Sequence, residues 1–284
     1  MSAHSTNLPK NLHDDTMELV TRLKAADEAF ALATVVRTVS VTAAKAGAKA
    51  VIHPDGRIMA GWIGGGCARG AVLKAAREAL ADGEPRLVSV QPETLLAELG
   101  VKPGDNRQGV RFAKNMCPSK GTMDIFVEPV LPRPSLVILG ASPVATALAE
   151  QAPRFGFSVT IAAPAKDLSG APAADVVIDG YQLDRLTEAR RFIVVSTQGK
   201  GDEAALRAAV TVDGAYHAFV GSHRKMAALR ETLLADGMPA AALDRVKAPA
   251  GLDLGAITPE EIALSILAEI IRQRRRGQRG EPQT

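Results

Sequence analysis

From Leu136 onward the sequence alternates short apolar runs, turns and helix-period segments, and no other feature restricts the chain's architecture as strongly. The runs are Leu136–Leu139, Ser158–Ala162, Val176–Ile178, Arg191–Ser196 and Ala215–Val220. Helical spacing is clearest at Val144–Gln151, Glu203–Val210 and Lys225–Asp236, and Pro153 is expected to cut or kink the first of these before Gly156. Strands alternating with helices imply a parallel sheet covered on both faces, the doubly wound, Rossmann-like type. Just upstream, Pro129, Pro132 and Pro134 fall within six residues, a stiff, extended piece that reads as a linker. At 284 residues the chain exceeds a typical single domain. The expected organisation is a mixed α/β domain over residues 1–128, a linker over 129–134, a Rossmann-like domain over 135–272 and a basic tail over 273–284.

The amino-terminal domain reads differently. Helical spacing of Met17, Val20 and Leu23 places a helix at Asp15–Asp27, and the β-branched run Phe30–Val39 is a buried strand. A small polar loop holding Ser40, Thr42 and Lys45 leads to a strand at Ala48–His53, a turn at Pro54–Gly56 and a second arm at Arg57–Ile63. That hairpin delivers three glycines, Gly64, Gly65 and Gly66, then Cys67, to a helix at Ala68–Ala81. Glycines there leave backbone N–H groups bare. A cysteine at a helix start, near Arg69 and Lys74, is biased toward thiolate. This layout suits an anion or a soft metal-bound group, although a Gly-rich turn also serves as a packing device and a lone Cys as a small hydrophobe. A strand at Arg86–Val90 and a short helix at Pro92–Leu99 follow. Residues 100–117 carry no apolar period and read as a polar loop, a lid or an exposed connection. Thr122–Val130 alternates like a half-buried strand and closes the domain.

Apolar residues make up 46% of the chain and charged ones 23%, enough to bury ordinary cores. A net charge of +3 with one Trp, two Tyr and seven Phe argues against nucleic acid, and the arginines from Arg272 to Arg279 read as a solvated tail. The first fifteen residues lack the apolar core of a signal peptide, and no run approaches a membrane span. Two cysteines are too few for a disulfide framework and point to a reducing, cytoplasmic setting. The five histidines are scattered, so a protein-built metal site is not expected.

A dinucleotide fingerprint requires G-x-G-x-x-G or a final Ala after a strand, and an acidic residue about twenty positions on. Here the three positions are Gly140, Ser142 and Ala145, Pro143 removes an N–H, and the next strand ends in Ala162, Ala163 and Pro164 with no carboxylate. Asp167 reads as too far past the strand tip to replace it. A Rossmann-like domain is expected; ordinary NAD binding is not. Two later strand ends open into polar loops, STQGKGDE with Gly199, Gly201 and Asp202, and VGSHRK with Gly221, Ser222 and Arg224. Each precedes a helix and could offer N–H groups to a phosphate, or simply be a βα turn. The closing helix after Thr258, Pro259 and Glu261 begins with a capping box and packs on the sheet, and Asp253 lies among glycines in the loop before it.

Taken in order, ATVVRT, GAK at 47–49, DGRI, GGGC, FVEP, VILGA, STQGKGDE, VGSHRK and APAGLDLGAITPEEIALSILAEI resemble the XdhC/CoxI family of molybdenum-hydroxylase accessory proteins over nearly the whole chain. GWIGGGCARG and LGASPVA look most like the versions associated with aerobic carbon monoxide dehydrogenase. The resemblance implies a maturation factor rather than an enzyme of turnover. It would bind and protect the molybdenum cofactor, as molybdopterin or its cytosine dinucleotide, in a cleft between the domains. It would then deliver the cofactor to the large chain of an apo molybdenum hydroxylase, in concert with a cysteine desulfurase or another maturation factor. Carried over by position, Cys67 is the candidate ligand or shield of the molybdenum, and Cys117 matches a second family cysteine of the same cleft. Where the family has Ser-Ser-Pro-Arg this chain has Val41–Ala44, so Lys45 is left to supply the charge. Where it has glycine-alanine-glycine-histidine this chain has Gly140–Pro143, and Lys200 takes the place of a histidine. An NAD(P)- or FAD-dependent oxidoreductase and a ligand-free assembly scaffold are the alternatives, and a homodimer is left open.

Overall fold

The computed structural model describes residues 12–118, 120–168, 174–184, 186 and 190–275. The first eleven residues, the tail from 276 with Arg276 and Arg279, and the side chain of Cys67 lie outside the described part. The chain forms two compact units, one ending at Pro132 and the other starting at Arg133.

The first unit runs α1 (Leu12–Ala25), β1 (Phe30–Val39), β2 (Lys49–Ile52), β3 (Ile58–Gly61), α2 (Gly66–Asp82), β4 (Arg86–Gln91), α3 (Glu93–Glu98), β5 (Asn106–Arg107), β6 (Val110–Lys114) and β7 (Thr122–Val130). Its seven-stranded sheet has the order β3-β2-β1-β7-β4-β6-β5, antiparallel throughout except for the parallel pair β4–β6. The long central pair is β1 and β7, in register from Phe30 opposite Val130 to Val39 opposite Thr122, with a shift between Val35 and Arg37. Alternation along β1 sends Ala31, Ala33 and Val35 to one face, where they meet Val72, Ala75 and Ala76 of α2. Phe30 points to the other face and packs with Leu19, Val20 and Leu23 of α1.

Residues 100–117 are a correction to the sequence reading. They hold β5 and β6, and β6 pairs with β4 from Leu87 opposite Val110 to Gln91 opposite Lys114. The strand hides in sequence because it is short and only half-buried, and its charges are held by neighbours: Arg111 by Glu78 of α2, and Lys114 by Glu93 at 2.8 Å. Backbone pairing with β4 supplies the order that its side-chain pattern lacks.

The second unit runs β8 (Ser135–Leu139), α4 (Pro143–Gln151), β9 (Ser158–Ala163), β10 (Val176–Asp179), β11 (Arg191–Val195), α5 (Asp202–Thr211), β12 (Tyr216–Phe219), α6 (His223–Ala235), α7 (Ala240–Leu243), β13 (Val246–Lys247) and α8 (Pro259–Arg274). All six strands are parallel, in the order β10-β9-β8-β11-β12-β13. Numbered within the unit this is 3-2-1-4-5-6, the doubly wound Rossmann order, with its topological switch point between β8 and β11. Both sheet faces are covered. Leu136, Ile138, Phe192 and Val194 pack with α4 and α8, whereas Val137, Leu139, Ile193 and Val195 pack with α5 and α6. Burying such a side chain stabilises the fold by about 1.5–3 kcal/mol. Pro153 ends α4 in a single 3₁₀ turn, Ala152–Phe155, closed by Gly156 in the left-handed region. Thr258 and Glu261 form the expected capping box of α8, and the N–H groups of Ile257 and Thr258 hold the Glu261 carboxyl below its usual range. Among the described residues no helix is long and apolar enough to cross a membrane.

Candidate functional site

In the first unit the turn after β3 builds a pocket. Gly64 has φ +108°, and a Cβ on it would press on the Met123 side chain at 3.2 Å. Its left-handed backbone swings the chain from the sheet into α2. Gly65 and Gly66 need no such freedom. Gly65 has φ −83° and is the N-cap of α2, and a Cβ on either residue would meet nothing within 4 Å. Gly65 provides no side-chain cap, so the first N–H groups of a 17-residue helix are left without one. The open space beside them is a pocket of about 220 Å³ lined by Thr42, Ala43, Gly65, Gly66, Ala68, Val90, Asn115, Met116, Cys117 and Met123.

Three separate segments are locked together to make it. A Cβ on Gly121 would lie 2.2 Å from the Val41 carbonyl oxygen, so only glycine lets the segment before β7 run against the 41–44 loop. Thr42 Oγ1 donates to the Ala44 carbonyl at 2.7 Å and folds that loop on itself. Asn115 donates to the Gly121 carbonyl at 2.6 Å while its Oδ1 accepts the Cys117 N–H at 2.9 Å, which fixes the turn that carries Cys117. Cys117 is exposed and stands in the pocket wall. Of the residues singled out in sequence, Gly65, Gly66 and Cys117 are brought together in one wall, whereas Gly64 turns the chain without joining the lining and Cys67 follows Gly66 in the first turn of α2. Lys45 is not brought in: it is exposed on the turn before β2, and among the described residues the lining does not include it. Asn115 and Met123 escape the sequence reading, and the only signal for Asn115 is its place two residues before Cys117.

The second unit has its own crevice at the switch point, again about 220 Å³. It is lined by Gly140, Ala141, Ser142, Ala163, Lys166, Asp167, Tyr181, Thr197, Gln198 and Lys200. Gly140 has φ +117°, and a Cβ on it would lie 2.3 Å from the Ser196 carbonyl oxygen, so β8 and β11 can approach only through glycine here. Ser142 caps α4 by accepting the Ala145 N–H at 3.2 Å, its hydroxyl bonds that of Ser196 at 2.7 Å, and Pro143 occupies the first helical position without an N–H. At the start of α4 the Ala145 N–H is therefore capped and residue 143 has no N–H to offer.

Asp202 is a buried tie. Its carboxylate accepts from Thr197 Oγ1 and from the Gly199 N–H at 3.2 Å, and pairs with Lys225 at 2.6 Å. Burial works to raise this acid, but Lys225, Thr197 and Gly199 outweigh it and hold the carboxyl below its ordinary value. Gly199 and Gly201 supply left-handed positions in the same loop, and Gly201 packs under the Tyr181 ring. Burial first, then the carboxylates of Asp167 and Asp202, push the Tyr181 phenol up. Asp167 corrects the sequence reading: the chain after β9 turns at once into a 3₁₀ turn, Ala165–Asp167, which brings this acid back to the crevice.

Gly221 and Ser222 line neither of these pockets. They border a wider groove of about 610 Å³ with His223 and the 247–256 loop, Asp253 included. Ser222 caps α6, accepting the Lys225 N–H at 3.2 Å. Behind that groove Glu269 accepts from Lys247, from Tyr216 Oη at 2.7 Å and from the Gly251 N–H at 3.1 Å, a buried junction that pins the 247–251 loop to α8. Among the described residues no group of three or more His, Cys, Asp or Glu side chains is placed to hold a metal ion by itself.

Two curated relatives share parts of this sequence. The chain is 28% identical to the uncharacterized protein YqeB of Escherichia coli (strain K12) over 79% of its own length and 40% of that protein's. It is 31% identical to a protein of Bacillus subtilis (strain 168) that is named as a probable xanthine dehydrogenase subunit, over 55% of its own length and 47% of that protein's. It therefore spans less than half the length of either. A solved structure described as a xanthine dehydrogenase from Bacillus halodurans aligns over 94% of this chain and 97% of that one, at 20% identity and a TM-score of 0.44. The model of the XdhC and CoxI family matches residues 23–91, which take in β1, the hairpin and the glycine turn with α2. The XdhC Rossmann domain model matches residues 136–270, the parallel sheet and its helices. With both units matched in sequence order, the chain belongs to the XdhC and CoxI family.

Proposed function

We propose that this protein serves the maturation of a molybdenum hydroxylase by holding the molybdenum cofactor in the pocket of its first unit, ahead of transfer to the enzyme's large chain. The observation that carries the reading is the uncapped start of α2, where Gly65 and Gly66 leave space that any other residue would fill. Bare N–H groups at a helix N-terminus favour a phosphate, and soft sulfur donors favour a metal that already carries sulfur ligands. Cys117, Met116 and Met123 line the same wall, so the residues present fit the group. Once in the client enzyme, the cofactor supplies the redox chemistry; here the chain's own residues bind and screen it. The N–H groups at Gly65 and Gly66 would donate to the phosphate end, Cys117 in the wall would face the metal with Cys67, next to Gly66 in sequence, as the second candidate thiol, and the apolar wall of Ala68, Val90 and Met123 would keep water back. A cysteine desulfurase fits as a second partner, because the sulfur ligand has to be supplied while the metal is protected. The family membership and the xanthine dehydrogenase name carried by the Bacillus subtilis relative support this reading.

The test is to produce the full chain beside the cofactor pathway, purify it and measure oxidised pterin fluorescence per mole of protein. Stoichiometric pterin in the wild type, cut several-fold in Cys67→Ala or Cys117→Ala, is the expected result. A wild type that carries no pterin overturns the proposal.

A further inference from the structure

We infer that the switch-point crevice of the second unit is a ribonucleotide site, in which Asp167 grips the ribose hydroxyls and Lys166 and Lys200 hold the phosphate. This goes beyond the cofactor reading, since it concerns a different unit and a different ligand and can be measured on protein that carries no pterin. In open α/β sheets ligands lie beyond the carboxyl ends of the strands at the point where the strand order reverses. Here that point lies between β8 and β11, and the crevice opens where four strand ends, those of β8, β9, β10 and β11, release their loops.

The ligand class follows from what the crevice offers and what it withholds. Dinucleotide sites place a pyrophosphate on the bare start of the first helix. That start offers fewer donors in this chain, because Ser142 caps the Ala145 N–H, Pro143 lacks an N–H, and the Ser142 hydroxyl is also engaged with Ser196. A phosphate must find its positive partner elsewhere, and Lys166 and Lys200 stand on the lining of the same crevice. Lys200 is exposed there.

The ribose partner is held with care. The first turn after β9 is fixed by Asp179 at the end of β10, whose Oδ1 accepts the Ala165 N–H at 2.8 Å. The Asp167 N–H then donates to the Pro164 carbonyl at 2.8 Å, and the turn sets the Asp167 carboxylate in the crevice wall. In dinucleotide folds a carboxylate near the end of the second strand bonds the ribose. Asp167 occupies the equivalent wall from a few residues further on. On the lining of the same crevice, Gln198 stands in the left-handed region at φ 53°, a conformation uncommon for a non-glycine residue. Tyr181 completes the wall with an aromatic face on which a base could lie.

Calorimetric titration of the full chain with AMP, 2′-deoxy-AMP, inorganic phosphate and NADH tests this. AMP should bind saturably, and the deoxynucleotide about tenfold more weakly, the loss expected for one hydrogen bond to a charged group. Asp167→Asn should bring AMP down to the deoxynucleotide's level, whereas Lys200→Ala should weaken both nucleotides alike by about the same factor. Four results would each overturn the proposal. These are no saturable AMP binding, inorganic phosphate displacing AMP at equal concentration, equal affinity for ribose and deoxyribose, and NADH binding tenfold tighter than AMP, which would make this a dinucleotide site.

Discussion

The helices α2 and α4 each start on a glycine turn after a short strand, and the two starts are built in opposite ways. At α2 the N-cap is Gly65, with no side chain to cap the helix and no atom within 4 Å of where a Cβ would stand. At α4 the N-cap is Ser142, bonded to Ala145 and to Ser196, with Pro143 following it. A glycine ahead of each N-cap turns the chain with a left-handed backbone, Gly64 at φ +108° directly before Gly65 and Gly140 at φ +117° one residue further back from Ser142. Glycine therefore does two jobs here: it bends the backbone at Gly64 and Gly140, and it keeps space open at Gly65 and Gly66. A turn that only bends can be sealed by its own polar groups. A turn that leaves its helix start bare keeps N–H groups available to a ligand or to water.

The sharpest way to break this comparison is to add one methyl group at each turn. Gly140→Ala puts a Cβ 2.3 Å from the Ser196 carbonyl oxygen, a backbone atom that cannot move without β11. The expected cost is about 3 kcal/mol or more, from a left-handed alanine together with overpacking. Urea unfolding followed through the second unit should show it. Gly65→Ala meets open space, so it should cost only what alanine loses against glycine as an N-cap, about 0.5–1 kcal/mol. Equal destabilisation by the two substitutions would erase the distinction.

Asp202 is the next largest lever, because it stiffens the loop facing the sealed start. Asp202→Asn leaves Lys225 without its partner and should cost about 1–2 kcal/mol at pH 7, tempered by the partial exposure of Lys225. The sign with pH follows from the lowered carboxyl. A depressed folded-state value means that the stabilisation is fully present above the unfolded value of about 3.9 and is lost as pH falls through the folded value. The gap between wild type and variant should therefore begin to narrow below about pH 4 and go on narrowing as pH falls through the depressed folded value, which unfolding followed from pH 7 downward measures. Ser142→Ala comes below it at about 1 kcal/mol, the usual worth of an N-cap. It also leaves Ser196 without its hydroxyl partner, so the loss should appear in the second unit and leave the first unit's transition where it is.

Much of this architecture is legible in the sequence because burial on both faces leaves a plain mark. Leu136 to Leu139 are apolar without interruption since α4 and α8 cover one side and α5 and α6 the other. Phe30–Val39 and Thr122–Val130 are readable to the residue because the central pair of the first sheet is long. β6 is not legible: VRFAK carries two charges that ion pairs with Glu78 and Glu93 make tolerable, and those partners lie outside any local window. β13 has two residues, too few for any period to show. The pockets follow the same division. Gly64 to Cys67 form one contiguous signal, whereas Thr42, Asn115 and Met123 reach the same wall from three segments through contacts at Gly121 and Gly64 that no spacing encodes. Asp167 escapes the sequence because its position depends on the Ala165–Asp179 hydrogen bond, a contact between two strand ends.

The smallest effect on stability separates the two starts most cleanly. Gly65→Ser would give α2 the kind of cap that α4 already has. Gly65 sits at φ −83° and ψ −169°, a backbone a serine N-cap adopts without strain. Serine is better than glycine as an N-cap by only about a few tenths of a kcal/mol, so the unfolding midpoint should rise slightly or stay in place. The hydroxyl would stand among the N–H groups at the start of α2, in the space that Gly65 keeps open on the pocket wall. Pterin carried per mole of protein should then fall at least several-fold while the fold is unharmed. A serine variant that is stable and fully loaded would show that the open start of α2 is a packing device like its counterpart at α4. A stable but empty one would show that the missing cap is what makes room for the ligand.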